Sequence, residues 1–249
     1  ENGLTEQKQS QNSNSDVKYK VLYPVIKKIY PHDEKAYTQG LYYKNGYLYE
    51  SSGLYGESTL RKNDILTGNS LKKISLLPIY FGEGITIYND KIYQLTWTNK
   101  KGFVYDMNSF QKIGEFVYPT EGWGITSDGK SLIVSDGTNF LTFYDPVTFE
   151  ITKTISVQFQ NQSVMNLNEL EFVDGKIYAN VYMTDKIAII NSENGNVEQW
   201  IDISSLRMQL DDPSAAEVSN GIAFNPETKT FYLTGKYWSN LFEVLFEEK

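Results

Sequence analysis

One phrase recurs five times along this chain: a glycine and an aliphatic residue, a short strand, a tight turn, a second strand and a break. It reads Gln39-Gly40-Leu41 with Asn45-Gly46-Tyr47-Leu48-Tyr49, then Glu83-Gly84-Ile85 with Asn89-Asp90-Lys91-Ile92-Tyr93. Next come Trp123-Gly124-Ile125 with Asp128-Gly129, and Asn168-Glu169-Leu170 with Asp174-Gly175-Lys176-Ile177-Tyr178. The last is Asn220-Gly221-Ile222, leading to Asn225-Pro226 and Phe231-Tyr232. Scaffold positions repeat while the residue before the glycine changes through Gln39, Glu83, Trp123, Asn168 and Asn220. A constant frame with one diversified position is the pattern of a working surface held on a scaffold.

From Val17 onward, short alternating runs of Tyr, Ile, Val, Phe and Leu read as strands. The Asn-Gly, Asn-Asp and Asp-Gly pairs between them favour the positive φ that tight hairpins need. Units begin at Gly40, Gly84, Gly124, Glu169 and Gly221, roughly 40 to 50 residues apart. That period predicts four-stranded blades of a β-propeller rather than a sandwich. Later in the first four units Asp64, Asp106, Asp145 and Asn191 open a second turn, and an outer strand follows each. The fifth unit ends near Phe246 before such a strand can form, but Val25-Ile-Lys-Lys-Ile-Tyr-Pro31 reads like the outer strand at 71–78. Residues 19–30 are therefore expected to complete the last blade, so that no open edge is left. The expectation is an all-β, five-bladed β-propeller closed by its N-terminal strand, one domain over 17–249.

Residues 1–16 are polar and rich in Gln, Asn and Ser, and are expected to form a flexible leader. Such a leader commonly separates a folded domain from a signal or lipid anchor; a remnant of expression reads the same. No signal peptide is recognisable, and no stretch approaches the roughly 18 apolar residues that cross a membrane as a helix. The leader and the lack of cysteine fit an exported bacterial protein of the periplasm or cell envelope, anchored by lipid in a longer form. A monomer is expected. The net charge of −8 argues against nucleic acid as partner, because phosphate binding wants a basic patch.

Absence of cysteine excludes disulfides, thiolate nucleophiles and Cys-ligated zinc. The single histidine, His32, sits in the charged turn Pro31-His-Asp-Glu-Lys35 and is expected to be an exposed loop residue. Acid–base chemistry therefore falls to carboxylates, Lys or Tyr.

In a propeller blade the first strand lines the channel and the second returns to the starting face. The residue before each glycine and the residue four beyond each second strand's aligned Tyr or Ile should then meet at one mouth. The first slot holds Gln39, Glu83, Trp123, Asn168 and Asn220; the second holds Gly53, Trp97, Gly137, Tyr182 and Lys236. Together they describe a pocket for a small molecule or a peptide end: aromatic walls, amide hydrogen bonds and one acid–base candidate. Glu83 lies between Phe81-Gly82 and Gly84-Ile85, an apolar setting that raises a carboxylate's pKa. Its bland alternative is a turn cap; for Trp97 and Trp123 it is packing between blades, and for Lys236 a solvated surface. Glu50, Glu121, Asp136 and Glu169 are nearby carboxylates of undetermined direction.

The ordered set Tyr37-Thr-Gln-Gly-Leu41, Tyr49-Glu-Ser-Ser-Gly-Leu-Tyr-Gly56, Phe81-Gly-Glu-Gly84, Leu95-Thr-Trp97, Glu121-Gly-Trp-Gly124, Leu167-Asn-Glu-Leu-Glu171, Asn220-Gly-Ile222 and Thr234-Gly-Lys236 resembles the plant-type glutaminyl cyclases, also found in bacteria. The resemblance runs from about Tyr30 to Trp238. It implies a five-bladed propeller that converts the N-terminal glutamine of peptides to pyroglutamate and releases ammonia. It also implies Glu83 as the acid–base group, with Gln39, Trp97, Trp123, Asn168 and Lys236 in the pocket and Tyr37 and Phe81 as aromatic wall. Tyr37 stands where Phe is more usual, and Tyr182 where the family pattern has Trp. On that reading Lys236 and Asn168 steady the oxyanion, and Trp97, Trp123 and Tyr182 box the glutamine stem.

No cofactor is required for such a ring closure, and no Asp-x-Asp-x-Asp-Gly calcium loop is present. Carbonyls and amides along the channel remain a candidate seat for a structural calcium ion. Two other functions stay open at this point: a non-catalytic surface binding module, and a calcium-dependent lactonase or lyase propeller.

Overall fold

The computed structural model describes residues 19–248; the leader expected over 1–16 lies outside them. After β1 (Val21–Pro31) the chain forms a four-stranded antiparallel meander, β2 (Thr38–Lys44), β3 (Tyr47–Ser52), β4 (Thr59–Asp64) and β5 (Ser70–Ser75). A second follows: β6 (Gly82–Tyr88), β7 (Lys91–Thr96), β8 (Lys101–Asp106) and β9 (Lys112–Val117). The third is β10 (Ile125–Ser127), β11 (Leu132–Ser135), β12 (Phe140–Tyr144) and β13 (Ile151–Ser156). A small hairpin, β14 (Gln158–Phe159) and β15 (Gln162–Ser163), precedes the fourth meander. That one is β16 (Leu167–Val173), β17 (Lys176–Val181), β18 (Lys186–Asn191) and β19 (Val197–Asp202). After the helical turn α1 (Ser204–Arg207) come β20 (Ser219–Asn225), β21 (Thr230–Gly235) and β22 (Asn240–Glu248). The fold is all-β, with almost no helix.

The missing fourth strand of the last sheet is β1, which runs antiparallel to β22 from Leu22↔Glu248 to Pro31↔Asn240. Its beginning also touches β19 in parallel at Val21↔Trp200 and Leu22↔Ile201, which merges the fourth and fifth sheets. The free edges of both chain ends are thus paired.

Local chemistry accounts for the turns. Asn45 and Gly46 (φ 52° and 82°), Asn89 and Asp90 (47° and 55°), and Asp174 and Gly175 (48° and 79°) supply the two successive positive φ values of a type I′ hairpin. In the second turns, Asp64, Asp106, Asp145 and Asn191 each accept backbone N–H groups two or three residues on. That Asx geometry holds the turn without help from the rest of the fold.

The apolar core is divided among the gaps between consecutive sheets. Tyr49 and Leu60 meet Ile85, Ile92 and Phe103; Tyr93 and Leu95 meet Ile125, Leu132 and Val134. Ile133 and Leu141 meet Leu167 and Ile177; Ile187 and Ile189 meet Ile222 and Phe242; Leu241 and Tyr232 meet Leu41 and Leu48. The sequence of gaps returns to its start. The first strands likewise neighbour one another in a closed order, β2, β6, β10, β16, β20 and back to β2.

At this inner ring the repeated glycine has a steric reason. A Cβ on Gly84 would stand 2.8 Å from the backbone of Gly124 and Ile125, and one on Gly124 would strike the backbone of Asn168 and Glu169. In the fourth unit Glu169 takes the glycine position, and its carboxylate accepts the backbone N–H groups of Leu41 (3.1 Å) and Ile222 (2.8 Å). Burial pushes its pKa well above the usual range, and pushes that of Glu171, which accepts the Phe224 N–H, up to about 8.

His32 departs from expectation. Its side chain is 4 % exposed and lies between the first and last sheets. Nε2 faces Glu50 Oε1 at 3.0 Å and Nδ1 faces the Trp238 carbonyl at 2.7 Å. The turn looked solvated because its neighbours are charged, but Asp33 pairs with Arg61 and Glu50 reaches the ring from β3. Long-range partners, invisible in a five-residue window, draw the imidazole inward.

Candidate active site

The first-slot residues sit on backbone irregularities. The register of β2 with β3 shifts between Thr38 and Gly40, that of β6 with β7 between Gly82 and Ile85. The β16–β17 pair shifts between Leu167 and Leu170, and the β20–β21 pair between Ser219 and Ile222. Each shift brackets the diversified position: Gln39, Glu83, Asn168 or Asn220. A bulge re-aims a side chain that regular alternation would send elsewhere. In the third unit Trp123 precedes β10 and bonds outward through its N–H to the Ser135 carbonyl.

Both slots contribute to one cavity of about 210 Å³, lined by Tyr37, Gln39, Phe81, Glu83, Trp97, Trp123, Asn168, Tyr182 and Lys236. All nine residues to which the family resemblance gives a part are there. The second-slot glycines make the room: a Cβ on Gly53 would overlap the Phe81 ring, and one on Gly137 would stand 2.6 Å from the Trp123 ring. Asn220 is not in the lining. It stands behind Gln39, donating from Nδ2 to the Gln39 side-chain oxygen and to the Thr38 carbonyl, each at 3.1 Å. With that oxygen occupied, Gln39 has its amide N–H₂ left for the cavity.

The walls form a closed belt. Tyr37 and Phe81 meet edge-on with centroids 6.0 Å apart, and Phe81 and Trp97 at 5.7 Å. The indole N–H groups of Trp97 and Trp123 both donate to one oxygen, Glu121 Oε2, at 2.7 and 3.0 Å. Trp123 meets Tyr182 edge-on at 5.6 Å. The Lys236 ammonium closes the circuit, 5.1 Å from the Tyr182 ring centre and 4.4 Å from that of Tyr37.

One carboxyl and one amine line the space inside the belt. Glu83 is 4 % and Lys236 is 3 % exposed. Burial raises the Glu83 pKa well above the carboxylate range; Lys236 pulls it down and Glu121 pushes it further up. Burial lowers the Lys236 pKa, against the attraction of Glu83 and Glu217. The two feel each other's charge without forming a direct ion pair, so the space between them can admit a ligand. Asn168 Oδ1 is buried without a partner, a further polar atom waiting for one.

The other carboxylates are now placed. Glu50 pairs with His32, Glu169 braces the inner ring, and Asp136 holds its own turn through Thr138. Sequence disclosed the part of none of the four, and Glu121, which receives both indoles, bears most directly on the cavity. The available signal was two tryptophans in aligned slots, each with an N–H needing an acceptor. Among the described residues no group of three or more Asp, Glu, His or Cys side chains is arranged to hold a metal ion.

A closed all-β ring that holds a desolvated carboxylate and a buried amine in one aromatic-walled cavity has the features by which a functional pocket is recognised. A family model described as glutamine cyclotransferase matches residues 2–246. A glutaminyl-peptide cyclotransferase of Arabidopsis thaliana is 36% identical over 248 residues, covering 96% of this chain and 76% of its own length. The crystal structure of Myxococcus xanthus glutaminyl cyclase superposes with a TM-score of 0.87 at 32% identity, across 93% of this chain and 100% of that one. The chain belongs to the glutamine cyclotransferase family.

Proposed function

We propose that the chain is a five-bladed β-propeller that acts as a glutaminyl-peptide cyclotransferase, closing the N-terminal glutamine of peptides or proteins to pyroglutamate. Five meanders around a ring of first strands, with β1 completing the last, support the architecture. The names of the two relatives support the reaction. The observation that carries the site is the placement of Glu83 and Lys236, both buried, inside one aromatic belt without pairing to each other.

In the reaction the substrate's α-nitrogen attacks its own side-chain amide carbon. A C–N bond forms, a tetrahedral oxyanion develops, and the original C–N bond breaks to release ammonia. The reactants are already tethered, so orientation and proton movement are the tasks left to the protein. Glu83 takes a proton from the attacking amine and returns one to the leaving nitrogen; a pKa raised by burial suits a carboxylate that must do both. Lys236 and the amide N–H₂ of Asn168 donate to the oxyanion, leaving Asn168 Oδ1 to accept from a substrate N–H. Gln39, held by Asn220, donates its amide N–H₂ to a substrate carbonyl. The faces of Trp97, Trp123 and Tyr182 pack on the glutamine stem, with Tyr37 and Phe81 closing the far wall.

Incubation with a glutamine-initiated peptide, with ammonia and pyroglutamyl product measured with and without chelator, tests this reading. Stoichiometric ammonia is expected. Binding without turnover would replace it by a surface binding module, and loss of folding or activity in chelator would point to a calcium ion in the channel.

A further inference from the structure

Every link of the belt but one is a ring contact or a cation over a ring face, and such contacts leave side chains room to slide. The exception is Glu121. It lies on the crossing from the second meander to the third, and one of its oxygens receives both indole N–H groups. Trp97 belongs to the second unit and Trp123 to the third, and no strand ladder joins these two sheets. Beside the single backbone bonds from Gly84 N–H to the Trp123 carbonyl (2.8 Å) and from Gly122 N–H to the Trp97 carbonyl (3.4 Å), this carboxylate is what ties the two indoles themselves together across the gap. Through Phe81 and Tyr182 it tethers four aromatic walls at once. It also keeps the indole edges engaged, so the tryptophans have ring faces, and no free N–H, to offer a ligand. Charge-assisted hydrogen bonds of this kind are short and directional, which suits them to setting a spacing.

We propose that Glu121 is a positioning residue of the cavity: it fixes the separation of Trp97 and Trp123 so that a glutamine stem fits between their faces. The inference deepens the cyclotransferase reading and rests on it for the identity of the ligand. Its negative charge has a second effect on Glu83, whose other charged neighbour is Lys236.

Two variants separate the spacing from the charge. Glu121→Ala removes both acceptors. It is expected to raise KM for a glutamine-initiated peptide by on the order of tenfold, with a smaller change in kcat, because misplaced walls weaken orientation. Glu121→Gln keeps an acceptor oxygen without the charge. It is expected to restore KM to within about threefold of wild type, while moving the acid limb of the kcat/KM profile to lower pH as Glu83 loses a repulsive neighbour.

A readout independent of turnover is the ¹⁵N indole spectrum, in which the chain's four tryptophans give four N–H signals. In Glu121→Ala the signals of Trp97 and Trp123 should move upfield on losing a carboxylate acceptor, while those of Trp200 and Trp238 stay. If the alanine variant folds with both signals and KM unchanged, the proposal is wrong. If both indole signals move in a protein that produces no ammonia even as wild type, the clamp stands and the cyclotransferase reading fails.

Discussion

Removing the His32 side chain should destabilise the protein far more than a change at its only histidine, in a charged turn, would suggest. The nearest partner of each ring nitrogen is an acceptor, the Glu50 carboxylate or the Trp238 carbonyl, and the Thr234 hydroxyl 3.3 Å from Nδ1 directs its proton to the Asn240 carbonyl, so the surroundings favour the imidazolium form. Burial alone would lower the His32 pKa, but the charge and hydrogen bond of Glu50 and the Trp238 carbonyl outweigh it and raise the pKa. For Glu50, burial would raise the pKa; His32, Arg61 and the Thr38 hydroxyl bring it down to about 2. Breaking one side of a buried pair costs ~3–5 kcal/mol, because a charge is left without its counterion. Glu50 retains hydrogen bonds from Thr38 (2.7 Å) and Asn63 (2.8 Å), which places His32→Ala near the lower end. At ~2–4 °C per kcal/mol for a domain of this size, the melting temperature should fall by roughly 6–12 °C.

The pH dependence has a definite sign. The His32 contribution is fully present below its unfolded pKa and is lost as pH rises through its raised folded value. The Glu50 contribution is present above its unfolded pKa and is lost as pH falls through about 2. The gap between wild type and His32→Ala should therefore be widest between the two unfolded values, about pH 5–6, and close on the alkaline side. Scanning calorimetry of both proteins across that range measures it. A gap under about 2 °C at its widest, or one that widens with rising pH, would refute the buried imidazolium.

Glu83→Gln should fold as wild type and lose on the order of 10²–10⁴ in kcat for a glutamine-initiated peptide, the usual weight of general acid–base catalysis. On the proposed mechanism the deprotonated Glu83 is the active base, so wild-type kcat/KM should rise with pH through a limb lying above the ordinary carboxylate range, as burial raises that pKa. Lys236→Met should lower kcat by about 10²–10³ through loss of an oxyanion partner. It should also move that limb to higher pH, because the Lys236 charge pulls the Glu83 pKa down; a limb moving the other way would contradict the facing arrangement. Gly84→Ala forces a methyl against the backbone of Gly124 and Ile125, and denaturant melts should show a loss of ~1–3 kcal/mol or more.

Much of this was legible along the chain, because turns and strands are local chemistry. Asn-Gly and Asn-Asp pairs adopt positive φ at low cost, Asx side chains close their own turns, and alternation marks which face is buried. Repetition then aligned the units, and alignment alone put Glu83, Lys236, Trp97 and Trp123 into corresponding slots. The pairing of β1 with β22 followed from counting strands. Direction and partnership were not legible. Alternation says inward or outward, but Gln39, Glu83, Asn168 and Asn220 sit at bulges, where alternation fails and the backbone of the neighbouring unit decides the aim.

The same limit explains the residues that only the tertiary structure could assign. Asn220 shares its slot with Glu83 yet lies behind Gln39, because the fifth unit packs against the first. His32 looked solvated until Glu50, on β3, and Trp238, in the turn between β21 and β22, closed around it. Glu121 gained its role by standing where two sheets bring their tryptophans to a single oxygen. Sequence by itself determined the repeating all-β frame, which short-range conformational preferences encode, and the alignment of its repeats picked out seven of the nine residues that line the cavity. What each polar side chain there is bonded to, and how far burial shifts its charge, arose only from the closure of the ring, because desolvation and hydrogen bonding depend on neighbours that the chain supplies from far away.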